Sequence, residues 1–280
     1  MTRVLITGAG GQVGRALVDA FADTGCDVVA ADRAALDVGS RDVAVGAITA
    51  LRPDVIIHAA AWTEVDACES DPDRAYRVNA LGTRHVADGA RRVGAHLVAI
   101  STDYVFDGRT DRPYLEWDPC NPLSVYGRSK RAGELEVDSG AAIVRTTWVF
   151  GRDAGVVPAV LRLAAEGAPL RFVSDQRACP TFVDDLAPAV RDLALTRRPG
   201  TFHVTNQGAT TPLDLARETL RLAGDDPARV VPVTSQELAR PAPRPARSDL
   251  DNAALRLSGL PLLPDHRESL ERLVKELVAS

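Results

Sequence analysis

Residues 4–14 read Val4-Leu5-Ile6-Thr7-Gly8-Ala9-Gly10-Gly11-Gln12-Val13-Gly14. An apolar run gives way to a glycine-rich loop and then to an amphipathic stretch that begins near Val13. Glycines at 8, 11 and 14 form GxxGxxG. The first allows a tight turn, the second lets a pyrophosphate approach the backbone, and the third lets a helix pack closely on the strand. The new helix offers unbonded N–H groups and a partial positive charge at its start. The stretch therefore predicts a strand–loop–helix unit that binds a dinucleotide, with its glycines around the phosphates.

The same alternation continues outward. Apolar runs at Val4–Thr7, Asp27–Ala31, Asp54–Ala60, Ala95–Ser101 and Ala141–Val149 are continuous, as in parallel strands buried on both faces. Helix-like stretches lie between them at Val13–Ala22, Arg41–Leu51, Pro72–Arg92 and Tyr126–Val137. Strand–helix repetition of this kind predicts a doubly wound α/β sheet over residues 1–150. The second strand ends at Asp32-Arg33. An acid there suits the ribose 2′-hydroxyl of NAD, and an Arg suits the 2′-phosphate of NADP. Asp37 and Val38 follow as candidates to border the adenine.

After Phe150 the pattern loosens. Helices are expected at Val156–Glu166, Phe182–Leu195, Thr211–Leu222 and Arg267–Val278, and strands at Leu170–Ser174 and Thr201–Val204. Arg240–Ser248, with prolines at 241, 243 and 245, reads as an extended loop. Residues 151–280 are expected to form mainly a smaller lobe, with segments near 182–204 returning to the first.

Composition removes other classes. At 45% hydrophobic and 25% charged residues the chain is globular rather than disordered. A net charge of −5 leaves no footprint for nucleic acid. No apolar run reaches the ~20 residues a bilayer requires, and Met1-Thr2-Arg3 does not open a signal peptide. Cys26, Cys68, Cys120 and Cys179 are far apart, and the five histidines form no HxxxH, so reduced thiols in the cytoplasm and no metal site are expected. Of 33 basic residues, only Lys130 and Lys275 are lysines.

Lys130 belongs to Tyr126-Gly127-Arg128-Ser129-Lys130, a YxxxK whose ends share a helix face. Upstream, Ser101-Thr102-Asp103 ends a buried strand, and such strand ends border the ligand crevice. The trio suits reduction of a ketone. A phenol delivers a proton to the forming alkoxide, a nearby ammonium favours the phenolate left behind, and a hydroxyl supports the carbonyl oxygen as charge develops.

These motifs, with Arg52–Thr63, Val65-Asp66, Glu69-Ser70, Asn79-Ala80, Ser101–Phe106, Arg145–Val149, Asp175-Gln176 and Arg244–Ser248, resemble the extended short-chain dehydrogenase/reductase superfamily. Within it the chain looks like the dTDP-4-dehydrorhamnose reductases. The resemblance implies a Rossmann-type sheet with a C-terminal substrate-binding lobe. It implies NADPH as reductant, with NADH as the alternative, and a dTDP-4-keto-6-deoxysugar as substrate, acted on by a monomer or homodimer. It places Gly8, Gly11, Gln12 and Val13 at the pyrophosphate, and Ala59, Ala60, Ala61, Asn79, Ser101, Tyr126 and Lys130 at the cofactor. It places Thr102, Asp103, Tyr104, Tyr126, Trp148 and Arg247 at the sugar nucleotide, with Arg247 meeting the diphosphate. His58 and Trp62 depart from the family, which commonly has Asn and His there. Reductases for other dTDP-4-keto-6-deoxysugars, epimerases and non-catalytic dinucleotide-binding subunits are the competing readings. Related dehydratases place Asp-Glu after the Thr, whereas Thr102 here is followed by Asp103-Tyr104.

Overall fold

A computed structural model gives the structure of residues 1–279. Its sheet is built from β1 (Arg3–Thr7), β2 (Asp27–Ala31), β3 (Val55–His58), β4 (His96–Thr102) and β5 (Ala142–Thr146), all parallel. Side chains alternate faces along each strand, and both faces are covered. Val4, Ile6, Val55 and Ile57 pack on one side with Leu17 of helix α1 (Gln12–Ala20). Leu5, Ile56 and Leu97 pack on the other with Ile48 of α2 (Arg41–Leu51). This is why the strand runs are continuously apolar. The strand order is β2-β1-β3-β4-β5 and then a sixth strand. The order reverses at β1, which places the ligand crevice at the carboxyl ends of β1 and β3.

Pro72–Arg92 is not one helix. It divides into α4 (Pro72–Tyr76), a π-helical turn at Arg77–Leu81 and α5 (Gly82–Val93), and the short α3 (Val65–Ser70) precedes it. The π turn turns Asn79 inward, where its side chain bonds the Trp62 backbone. The run Ala141–Val149 is also cut. Trp148 takes a left-handed φ of +40°, which ends β5 and starts β6 (Val149–Phe150). A bulky residue held there costs about 1–3 kcal/mol, and Thr181 steadies it by donating its N–H to the Trp148 carbonyl at 3.1 Å.

After α6 (Val125–Glu134) and α7 (Val156–Ala165), the chain forms β7 (Leu170–Val173), β8 (Thr181–Phe182) and α8 (Val183–Leu195). Beyond them come β9 (Gly200–His203), α9 (Pro212–Leu222) and β10 (Val230–Val233). β9 is the sixth strand of the main sheet, paired with β5, and α8 packs on the α1 side of the sheet. β10 was not apparent in the sequence, because a four-residue strand with a proline carries little pattern. It pairs in parallel with β7, and β6 pairs with β8. The chain ends in α10 (Ser235–Leu238), α11 (Ala253–Leu257) and α12 (His266–Ala279). No helix among the described residues is long and apolar enough to cross a membrane.

Candidate active site

The glycine loop lies where β1 meets α1. A Cβ on Gly14 would sit 2.1 Å from the Gly8 carbonyl oxygen, so only glycine lets α1 start this close to the loop. Two cavities meet there. One, of about 500 Å³, is bordered by Gly8, Gly11, Asp32, Arg33, Asp37, Val38, Ala60 and Trp62. The other, of about 430 Å³, is bordered by Gln12, Val13, Ser101, Thr102, Tyr126, Lys130 and Trp148. Gly11, Ala59 and Ala61 line both, so they form one continuous cleft across the ends of β1, β3 and β4. Its two-part length, its open glycine loop and the buried Gln12 Nε2, which has no partner among the described residues, fit a dinucleotide.

The wall that carries Thr102, Tyr126 and Lys130 is built by local geometry. Thr102 ends β4. Its hydroxyl accepts from the Tyr104 N–H at 3.2 Å and donates to Asp103 Oδ1 at 3.1 Å, fixing a 3₁₀ turn at Asp103–Val105. α6 starts beside that turn. Ser124 caps it by accepting from the Gly127 N–H at 3.1 Å, and Glu69 of α3 accepts from the Val125 N–H at 2.7 Å. A Cβ on Gly127 would meet the Tyr104 carbonyl oxygen at 2.2 Å, so this glycine brings the helix against the turn. Tyr126 and Lys130 therefore project into the cleft next to Thr102. The rings of Tyr126 and Tyr104 meet edge to face at 5.6 Å.

Burial pushes the Tyr126 phenol well above its ordinary value, and the Thr102 side chain pulls it partly back. The unliganded phenol is thus a fully protonated acid. The lowering expected from Lys130 is not among the influences on it in this state. Burial also brings the Lys130 ammonium down to about 8, opposed by the Glu134 charge. Lys130 Nζ donates to the Ile100 carbonyl at 2.7 Å. Asp103, beside them, is raised by burial to about 6, and the neighbouring Ser248, Thr147 and Thr102 hydroxyls act in the opposite direction; of these only Thr102 makes a hydrogen bond to its carboxylate.

Below this wall lies a group the sequence reading missed. Glu134, one turn beyond Lys130, accepts from the Ser101 hydroxyl at 2.6 Å and from both ends of the Arg145 guanidinium at 2.9 Å. Arg131 adds a bond at 2.8 Å. Glu134 and Arg145 are almost fully buried. The i, i+4 spacing from Lys130 was the available signal. Ser101 borders the cleft, but its hydroxyl is directed to Glu134.

Two residues expected at ligands lie elsewhere. Asn79 stands behind the cleft wall: its side-chain oxygen accepts from the Trp62 N–H at 2.8 Å, and its amide donates to the Trp62 carbonyl at 3.1 Å and to Ser129 Oγ at 3.0 Å. Arg247 borders neither cavity, because its fork closes on the buried carboxylate of Asp249 at 2.7 and 3.0 Å. Arg244, three residues earlier, also borders neither cavity. It clamps Asp66 at 2.8 and 2.9 Å and lies against Tyr104. His58 proves to be a neutral tie. Burial, helped by the Lys130 charge, lowers it to about 3, and its ring joins Thr7 at 2.8 Å to Thr83 at 3.2 Å.

A glycine loop and a Thr–Tyr–Lys set in one crevice define the short-chain dehydrogenase/reductase class. Within that class the chain belongs to the family of the RmlD substrate binding domain, whose model matches residues 1–279. It is 44% identical over 279 residues to a dTDP-4-dehydrorhamnose reductase of Streptomyces griseus, covering 96% of this chain and 91% of the relative. It is 39% identical over 264 residues to a dTDP-4-keto-6-deoxy-D-glucose reductase of Streptomyces niveus, covering 92% and 91%. The crystal structure of dTDP-4-dehydrorhamnose reductase from Bacillus anthracis in complex with NADP is 36% identical. It matches with a TM-score of 0.94 over 99% of this chain and 100% of that one.

Proposed function

We propose that this chain is an NADPH-dependent reductase that converts the C4 ketone of dTDP-4-dehydro-L-rhamnose to the alcohol of dTDP-L-rhamnose. The observation that carries the reading is the placement of a protonated, buried phenol in the same cleft as the glycine loop. The names of the relatives supply the sugar. Residues 1–150, joined by α8 and β9, bind the dinucleotide, and the remainder mainly binds the sugar nucleotide. Four free cysteines suit a reducing cytoplasm.

NADPH bound along the cleft supplies the hydride. Gly8, Gly11, Gln12 and Val13 hold its pyrophosphate, Ala59 to Ala61 line it, and Asp37 and Val38 border the adenine. Thr102 donates its hydroxyl to the C4 oxygen, and Tyr126 gives that oxygen its proton as it becomes an alkoxide. Lys130 then stabilises the phenolate and bonds the nicotinamide ribose. Asp103, Tyr104 and Trp148 border the sugar.

The direct test is to incubate the protein with the 4-keto sugar nucleotide and NADPH and follow absorbance of the reduced nicotinamide. Stoichiometric oxidation with formation of dTDP-L-rhamnose is expected. No oxidation with either cofactor would overturn the reading.

Cofactor choice rests on Arg33. It is exposed, forms no ion pair among the described residues and borders the nucleotide cavity, while Asp32 is engaged by the Ala35 N–H at 2.9 Å. Arg33→Ala is expected to raise KM for NADPH roughly 10- to 100-fold, the worth of a charged hydrogen bond. KM for NADH stays unchanged in the same steady-state assay.

The Lys130 ammonium sets a pH limit. It is charged below about 8 and neutral above. Since kcat/KM reports groups of the free enzyme, kcat/KM for NADPH is expected to fall as pH rises through about 8. A profile flat from pH 7 to 9.5 would remove Lys130 from the reaction.

A further inference from the structure

Arg74 lies on the wall of the nucleotide cavity, across from the glycine loop. Its guanidinium carbon lies 4.2 Å from the centroid of the Trp62 ring. Guanidinium is weakly hydrated and stacks readily on an aromatic face, leaving its N–H edges free in the plane of the group. Among the described residues those N–H groups make no hydrogen bond and no ion pair. Its backbone is fixed instead, with the Arg74 N–H bonded to Asp71 Oδ1 at 3.0 Å at the start of α4.

The platform beneath it is rigid. Asn79 holds Trp62 by both its N–H and its carbonyl, at 2.8 and 3.1 Å. Asn79 is in turn held by Ser129 of the catalytic helix α6. A half-buried cation without a carboxylate, oriented by an indole and facing a cavity, is arranged to receive an anion. The phosphates of a dinucleotide are the anions this cavity is shaped to take.

We infer that Arg74, laid flat on Trp62, is a phosphate-binding residue of the dinucleotide cleft, a role that rests on the cofactor reading above. The ligand chemistry is a phosphoryl oxygen of either the pyrophosphate or the ribose 2′-phosphate. Trp62, a departure from the family pattern, is the support that makes this position available to Arg74.

Isothermal titration of the full chain with NADPH and with NADH, without substrate, tests it. Arg74→Met keeps apolar cover on the indole and removes only the charge. Its Kd for NADPH is expected to rise on the order of tenfold, with a shallower dependence on salt than the wild type. An equal rise for NADH assigns the contact to the pyrophosphate, and a rise for NADPH alone assigns it to the 2′-phosphate. An unchanged Kd and salt dependence for both cofactors in Arg74→Met, with wild-type binding intact, would overturn the inference. Failure of the wild type to bind either cofactor would instead overturn the cofactor reading.

Discussion

Tyr126→Phe is expected to lower kcat by roughly 10²- to 10⁴-fold, the range for loss of a positioned proton donor, while the Kd for NADPH changes little. The separation follows from how the ring is held. It packs with Cys68, Ala75 and Val125, and against Tyr104, through carbon atoms that phenylalanine also has. Only the hydroxyl is lost, along with the electrostatic influence of the Thr102 side chain on it. Burial holds that hydroxyl well above its ordinary value, so near neutral pH it is protonated and poised to give a proton rather than take one. Steady-state turnover and a direct binding titration on the same variant check both halves. Turnover near the wild-type rate would assign the proton to another group, with Asp103 the nearest candidate.

Glu134→Gln is expected to destabilise the protein by about 3–5 kcal/mol, because it leaves the Arg145 guanidinium buried without its counter-ion. The melting temperature should fall on the order of 10 °C, since a chain of this size loses about 2–4 °C per kcal/mol. Burial alone would push the Glu134 carboxyl up, yet Arg145, Ser101 and Arg131 hold it below its ordinary 4.5. A carboxylate lowered in this way stabilises the fold above its unfolded value, and that contribution is lost as pH falls through the lowered one. The gap in melting temperature between wild type and variant should therefore narrow as pH falls below 4.5. Calorimetry across pH checks this, and a variant as stable as the parent at pH 7 would show the pair to be dispensable.

The sheet, the glycine loop and the Thr102–Tyr126–Lys130 set were legible because each depends on local pattern. Continuous apolar runs mark strands covered on both faces, and helical spacing brings Tyr126 and Lys130 to one face. What escaped depends on which partner each polar group finds, most often in a distant segment. Nothing near Trp148 signals its left-handed turn, since the compensating bond comes from Thr181. The π turn at 77–81 has no helix breaker to announce it. Arg247 reads as a free phosphate fork until Asp249, two residues on, folds back onto it. Ser101 reads as a ligand for the ribose until Glu134, thirty-three residues later, draws its hydroxyl inward. Except for Asp249, which lies two residues from Arg247, these partners come from segments that short-range spacing does not connect.

The sixth strand has a consequence for how the chain is made. β5 ends at residue 146, but the strand that pairs with its outer edge ends at 203, and α8, which covers the α1 face, ends at 195. A ribosome adding about 5–20 residues per second takes several seconds to cover that interval. Meanwhile the nascent chain presents an unpaired edge and an uncovered apolar face, both of which invite association with neighbours. Truncation near residue 150 is therefore expected to yield insoluble protein, because it leaves that edge and face exposed.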